Sequence, residues 1–190
     1  MKTQEEIIRG AIALVKEKTG IDYPYEWVIV TDEGFTRKRW AGVYRHGNNI
    51  YVRPRLFKPL DEEKLRKRYR EDNGCHYTID ENGKWIEITE DEYVDGYDKT
   101  RVRDAQHTII HEIGHWVHTW YFNGMSMYIR GAYGYAHKNR FENFAVGFQQ
   151  YVQDTLFHQS RRYKRMHTIL TEEIKNTYKW KQDHEERKAV

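Results

Sequence analysis

Thr108-Ile109-Ile110-His111-Glu112-Ile113-Gly114-His115-Trp116-Val117-His118 is the stretch on which the reading of this chain turns. Glu112 is its only Asp, Glu, Lys or Arg. A solvated helix carries charge along its outer face, so an apolar run broken by one carboxylate and three imidazoles reads as a buried helix. On such a helix His111 and His115 stand one above the other on a single face. Two imidazoles so placed can converge on one Zn2+, and Glu112, one residue on, reaches a water bound there. This HExxH pattern is the geometry of metal-assisted hydrolysis. Zinc acidifies its water and polarises a carbonyl, while a carboxylate that is not a ligand takes the proton and passes it to a leaving amine. The plainer alternative is a core helix with hydrogen-bonded histidines, in which an uncompensated Glu112 would be costly to bury.

Composition narrows the class. With 190 residues the chain is expected to form one domain with a real core. Fifteen tyrosines, six tryptophans and seven phenylalanines separate it from disordered chains of similar polarity. A formal charge of +3 is too small to argue for nucleic acid. The single cysteine, Cys75, excludes an internal disulfide and a cysteine zinc finger, and fits a reducing compartment. The polar, acidic start and the lack of any membrane-length apolar window predict a soluble, cytoplasmic protein with no membrane partner.

The remaining elements follow from periodicity and punctuation. Thr3 and Glu6 have capping-box spacing, and Ile7, Ile8, Ala11, Leu14 and Val15 predict a helix over 4–18 that stops at Gly20. Residues 27–30 read as a strand, and 40–45 and 50–53 as a hairpin that ends at Pro54. The segment 61–70 reads as a charged, exposed helix or loop. A second hairpin is expected from 75–79 and 84–89, giving a sheet of four or five strands before the central helix, whose expected N-cap is Asp104. Residues 123–134 lack periodicity. Phe141, Phe144, Ala145, Phe148, Tyr151 and Val152 mark a helix between about 138 and 158, and Met166, Ile169, Leu170, Ile174 and Tyr178 a C-terminal helix that frays after Trp180. The expected class is α+β: a small mixed sheet beside the HExxH helix, then a mainly helical C-terminal part. Within one domain over 1–190, 1–118 form a sheet lobe with the active-site helix. Residues 119–158 hold the third ligand, and 159–190 a helical appendage.

A catalytic zinc keeps three protein ligands and one open position. Glu142 is the leading candidate for the third, because a carboxylate among aromatic positions near a helix start needs compensation that a metal supplies. His137, His158 and His167 compete with it. His107 and His118 share a face with the HExxH histidines and are expected to pack. Arg161, Arg162, Lys164 and Arg165, with Tyr163 among them, could hold nucleic acid, but the glutamates nearby favour a solvated helix face.

His111-Glu112-Ile113-Gly114-His115, followed 27 residues later by Glu142 in Glu142-Asn143-Phe144-Ala145, resembles the gluzincin arrangement. The likeness is greatest to the catalytic domains of the anthrax lethal factor group and covers about 104–152. It implies a zincin-like fold holding one Zn2+ on His111, His115 and Glu142, with Glu112 as general base. It also implies that Tyr135, seven residues before Glu142, stabilises the oxyanion, with Tyr133 and Tyr128 as alternatives. The chain departs from the family at Val146, where relatives often carry a second acidic residue. His118 and Tyr121 stand where metzincins have glycine and a third histidine. The implied activity is a zinc metalloendopeptidase acting on a protein or peptide, which an edge strand, either 50–53 or 84–89, would pair with. The alternatives are a catalytically silent zincin-like binding module and a nucleic-acid-associated module.

Overall fold

The longest helix, α4 (Val102–Phe122), is buried on most of its circumference, through residues that include Ala105, Ile109, Ile110, Ile113, Trp116 and Val117. A computed structural model describes the chain over residues 2–37, 40–45, 47–59, 61–71, 77–79, 84–96, 102–122, 139–155, 160–174 and 176. Helices α1 (Gln4–Thr19) and α5 (Arg140–Val152) pack against α4, as do strands β2 (Gly42–Tyr44) and β3 (Ile50–Val52). The arrangement is a mixed α+β one, with helices predominating.

Helix α1 begins as its sequence requires. The Thr3 hydroxyl accepts the Glu6 N–H at 3.2 Å and the Glu6 carboxylate accepts the Thr3 N–H at 2.6 Å, so two otherwise orphaned donors are satisfied. Gly20, at φ 73°, closes the helix by donating to the Lys16 carbonyl at 2.8 Å. Ile7, Ile8, Ala11 and Val15 form its buried stripe.

The sheet has the order β1-β3-β2, with β1 (Val28–Val30) parallel to β3 and β2 antiparallel to it. The turn between β2 and β3 is tied down. The Tyr23 hydroxyl donates to the Asn48 carbonyl at 2.5 Å and the Trp116 indole N–H to the Asn48 side chain at 3.4 Å, within an edge-packed cluster of Tyr23, Trp27 and Trp116. Strands β4 (Tyr77–Ile79) and β5 (Trp85–Glu87) pair with each other as a separate ribbon, so the expected sheet of four or five strands divides in two among the described residues. Beside the ribbon in sequence lie α2 (Glu62–Glu71) and α3 (Glu90–Gly96), a helix not anticipated from sequence. Arg66 and Arg70 of α2 pair with Glu90 and Asp91 of α3, fastening the ribbon's surroundings to this helical pair. Thr89 and Glu92 repeat the reciprocal capping bonds of Thr3 and Glu6, a start signal that strand propensity had overshadowed.

Helix α4 starts at Val102, two residues before the expected cap. Asp104 lies in its first turn, and its carbonyl accepts the Thr108 hydroxyl at 3.0 Å. Helix α6 (Arg161–Thr168) and the wide turn Ile169–Glu173 bury Met166, Ile169 and Leu170 in the same core as α4 and α5. No helix among the described residues is long and apolar enough to cross a membrane.

The packing of α5 on α4 has one steric condition. A Cβ on Gly114 would lie 3.0 Å from the Ala145 Cα and 3.2 Å from the Phe148 Cβ, and the first of these is backbone that cannot rotate away. Gly114→Ala would gain about 0.8–1 kcal/mol of helix propensity. Overpacking costs about 1–3 kcal/mol and outweighs it. We therefore expect Gly114→Ala to lower unfolding stability by on the order of 1 kcal/mol in a urea titration; a stabilised variant would contradict the close crossing.

Candidate metal centre

Two helices bring the polar groups together. Asn139 caps α5 by accepting the N–H groups of Phe141 at 2.9 Å and Glu142 at 3.0 Å, which sets the first turn and with it the Glu142 side chain. Across the Gly114 crossing, His111 and His115 extend from α4 with ring centroids 4.8 Å apart and ring planes at 86°. One oxygen of Glu142, Oε2, lies 3.2 Å from His111 Nε2 and 3.5 Å from His115 Nε2. All three donor atoms fall within 4.8 Å of one another.

These separations can be set against the edges of a metal site. Ligand bonds of about 2.0–2.1 Å in a tetrahedron imply ligand-to-ligand edges of about 3.3–3.4 Å. The two distances to Glu142 Oε2 bracket that value, and the donor atoms as a set lie within 4.8 Å. Ordinary N–H···O bonds are shorter on average, and a single carboxylate oxygen facing two imidazole nitrogens receives protons only if those nitrogens carry them. The donor set of two imidazoles and a carboxylate therefore fits a divalent ion such as zinc. Burial alone would raise the Glu142 carboxyl, but His111 and His115 outweigh it and hold the group well below the usual carboxylate range.

Glu112 faces the same cleft from the next position of α4. Only 7% exposed, it accepts the Tyr44 main-chain N–H at 2.7 Å. Burial pushes its carboxyl up to about 7, against the opposing pull of His111 and of the Tyr44 amide. The cleft has a volume of about 700 Å3. Its walls are β2 and the preceding Trp40 on one side, and α4 and α5 with Thr119 and Phe141 on the other.

The other sequence candidates fall elsewhere. His107 Nδ1 lies 3.2 Å from Gln149 Nε2, His118 is stacked on Phe144 at 4.7 Å, and His167 Nδ1 is 2.9 Å from the Tyr151 hydroxyl. None of the three joins the His111–His115–Glu142 group. Tyr135, Tyr133, Tyr128, His137 and His158 lie outside the described residues. Neither anticipated edge strand fits: 50–52 is the central strand of its sheet, and 85–87 belongs to the separate ribbon. The strand that borders the cleft is β2, the opposite arm of the first hairpin. Gly42 and Tyr44 were passed over in sequence. A glycine inside a strand is a signal of close backbone approach, whereas a main-chain amide leaves no mark in a sequence.

The chain matches no family model, no curated protein and no solved structure.

The raised Glu112 carboxyl has a consequence for stability in chelator-treated protein. The folded state holds this proton more readily than the unfolded chain, so ionisation costs the fold nothing well below the ordinary carboxylate range and its full penalty above about pH 7. Glu112→Gln keeps an acceptor for the Tyr44 amide and removes the penalty. In excess chelator the variant should melt higher than the unmodified chain at about pH 8, with the gain shrinking toward about pH 5. Differential scanning calorimetry across that range checks it; a gain independent of pH would contradict the burial argument.

Proposed function

We propose that this protein is a zincin-like zinc metallopeptidase of gluzincin type, cleaving peptide bonds in a protein or peptide. The observation that carries the reading is the convergence of His111, His115 and Glu142, with Glu142 Oε2 3.2 Å from one imidazole Nε2 and 3.5 Å from the other, and the buried carboxylate of Glu112 in the same cleft. His111, His115 and Glu142 would hold one Zn2+ and leave a position open to the cleft. When bound, zinc supplies Lewis acidity and an acidified water. Glu112 would act as general base toward that water and then deliver the proton to the departing amine, a role suited to a carboxyl whose pKa lies near neutrality. Tyr135 is the candidate oxyanion donor through the family resemblance.

Two features weigh against the rival readings. A purely structural zinc has no use for a buried carboxylate beside its ligands, which favours hydrolysis over a silent binding module. Within the basic tract of α6, the buried Arg162 donates to the Asn143 carbonyl at 3.3 Å and the exposed Arg165 pairs with Glu173, so two of the four cations proposed for nucleic acid have partners in the chain itself.

Metal analysis of protein purified without added metal tests the site directly. About one zinc per chain is expected, and most of it should be lost in Glu142→Ala. Glu112→Gln should retain the metal yet lower peptide hydrolysis by about 10²–10⁴-fold. A protein that takes up no zinc even when it is supplied would overturn the reading, as would a Glu112→Gln variant of undiminished activity.

A further inference from the structure

The two edges of β2 are used differently. Along its inner edge the Ala41 carbonyl accepts the Arg53 N–H at 2.9 Å and the Arg45 N–H reaches the Asn49 carbonyl at 3.5 Å, with Val43 opposite Tyr51 between them. Hydrogen-bonded residues alternate in an antiparallel pair, so Gly42 and Tyr44 turn their main-chain groups outward, toward the cleft that they line. Outward amides on an edge strand ordinarily bind water or an incoming chain. Here the outward amide of Tyr44 is bonded at 2.7 Å to Glu112 Oε2.

The second outward residue meets the other oxygen. A Cβ on Gly42 would lie 2.9 Å from Glu112 Oε1, 2.9 Å from Glu112 Cγ and 2.7 Å from Thr108 Cγ2. Glycine is thus the residue that lets the strand backbone lie directly on the Glu112 side chain. A glutamate has several rotatable bonds and loses substantial rotamer freedom when it is fixed. Neighbours on its own helix do not donate a hydrogen bond to Oε2; the strand does.

We propose that β2 positions the catalytic carboxylate: the Tyr44 main-chain N–H fixes Oε2 of Glu112, and the missing side chain of Gly42 leaves Oε1 its place. The inference rests on the reading of Glu112 as general base. Gly42 and Tyr44 are positioning residues in this scheme, acting on Glu112 and not on the reacting atoms. A methyl group at position 42 would press on Thr108 Cγ2 and on Glu112 Cγ and Oε1, all of them side-chain atoms, so Gly42→Ala should displace the Glu112 carboxylate before it unfolds the strand.

The test has a structural arm and a kinetic one. Amide hydrogen exchange is followed residue by residue in the full zinc-loaded chain and in Glu112→Ala. The Tyr44 amide should be protected although it lies on the outward edge, and Glu112→Ala should abolish that protection while Val43 and Arg45, bonded to the neighbouring strand, keep theirs. Rapid exchange of Tyr44 in the unmodified protein, or protection that survives Glu112→Ala, overturns the proposal whether or not the protein cleaves peptides. In the kinetic arm, Gly42→Ala should hold its zinc and keep KM within about threefold while kcat falls on the order of 100-fold, the penalty of an ångström-scale misplacement. Undiminished kcat in Gly42→Ala would sink the positioning role and leave the peptidase reading intact. An unmodified protein that binds zinc and hydrolyses no peptide would sink the peptidase reading, and the exchange arm would still decide whether the strand holds Glu112. If Gly42→Ala fails to fold, the exchange arm, the unmodified chain against Glu112→Ala, decides alone.

Discussion

The crossing of α5 over α4 at Gly114 is the contact on which the site depends. The two helices approach until the place of a Gly114 Cβ is 3.0 Å from the Ala145 Cα, and nothing wider than a hydrogen fits between them there. Gly114 lies between the two histidines in sequence, and Ala145 follows Glu142 by one turn. The same point of closest approach therefore sets how far the carboxylate stands from both imidazoles. The energetics of the core and the geometry of the cluster share one variable, the interhelical distance, and Phe144 and Phe148 on α5 and Ile110, Ile113 and Val117 on α4 hold it by burial on either side.

Much of this was legible in the chain, in proportion to how local each signal is. The α1 helix announces itself through Thr3, Glu6 and Gly20, and the structure meets each of these expectations with a specific hydrogen bond. The first hairpin was equally local. Pairing between distant segments was not: alternation at 75–79 and 84–89 predicts strands but carries no information about which sheet receives them. The carboxylate at 142 stood out because an acidic residue among aromatic positions is expensive without a partner. Tyr44 could not stand out, since its contribution is an amide that every residue but proline possesses. Gly42 could have been noticed as a glycine in a strand, and was overlooked beside the stronger motif.

Burying Glu112 costs free energy, and His111 and the Tyr44 main-chain amide offset part of that cost. Arginine or lysine in that place would form a salt bridge and lower the carboxyl too far for it to exchange a proton near neutrality. A main-chain amide is a weaker partner. It holds position while lowering the carboxyl less than a charged partner would, and it adds no side-chain volume to the cleft.

Asn48 gives the turn between β2 and β3 a role that reaches beyond its length. Its carbonyl is held by Tyr23 and its side chain by Trp116, while the strand that leads into it is held by Glu112. Trp116 and Glu112 belong to one helix, so strand, turn and helix form a closed ring of contacts with a fixed circumference. Tight turns on a surface are where related chains usually gain and lose residues with impunity. In this ring an inserted residue would change the circumference, and the slack would emerge at the carboxylate. Drift in length at this turn is therefore coupled to the place of the Glu112 carboxylate.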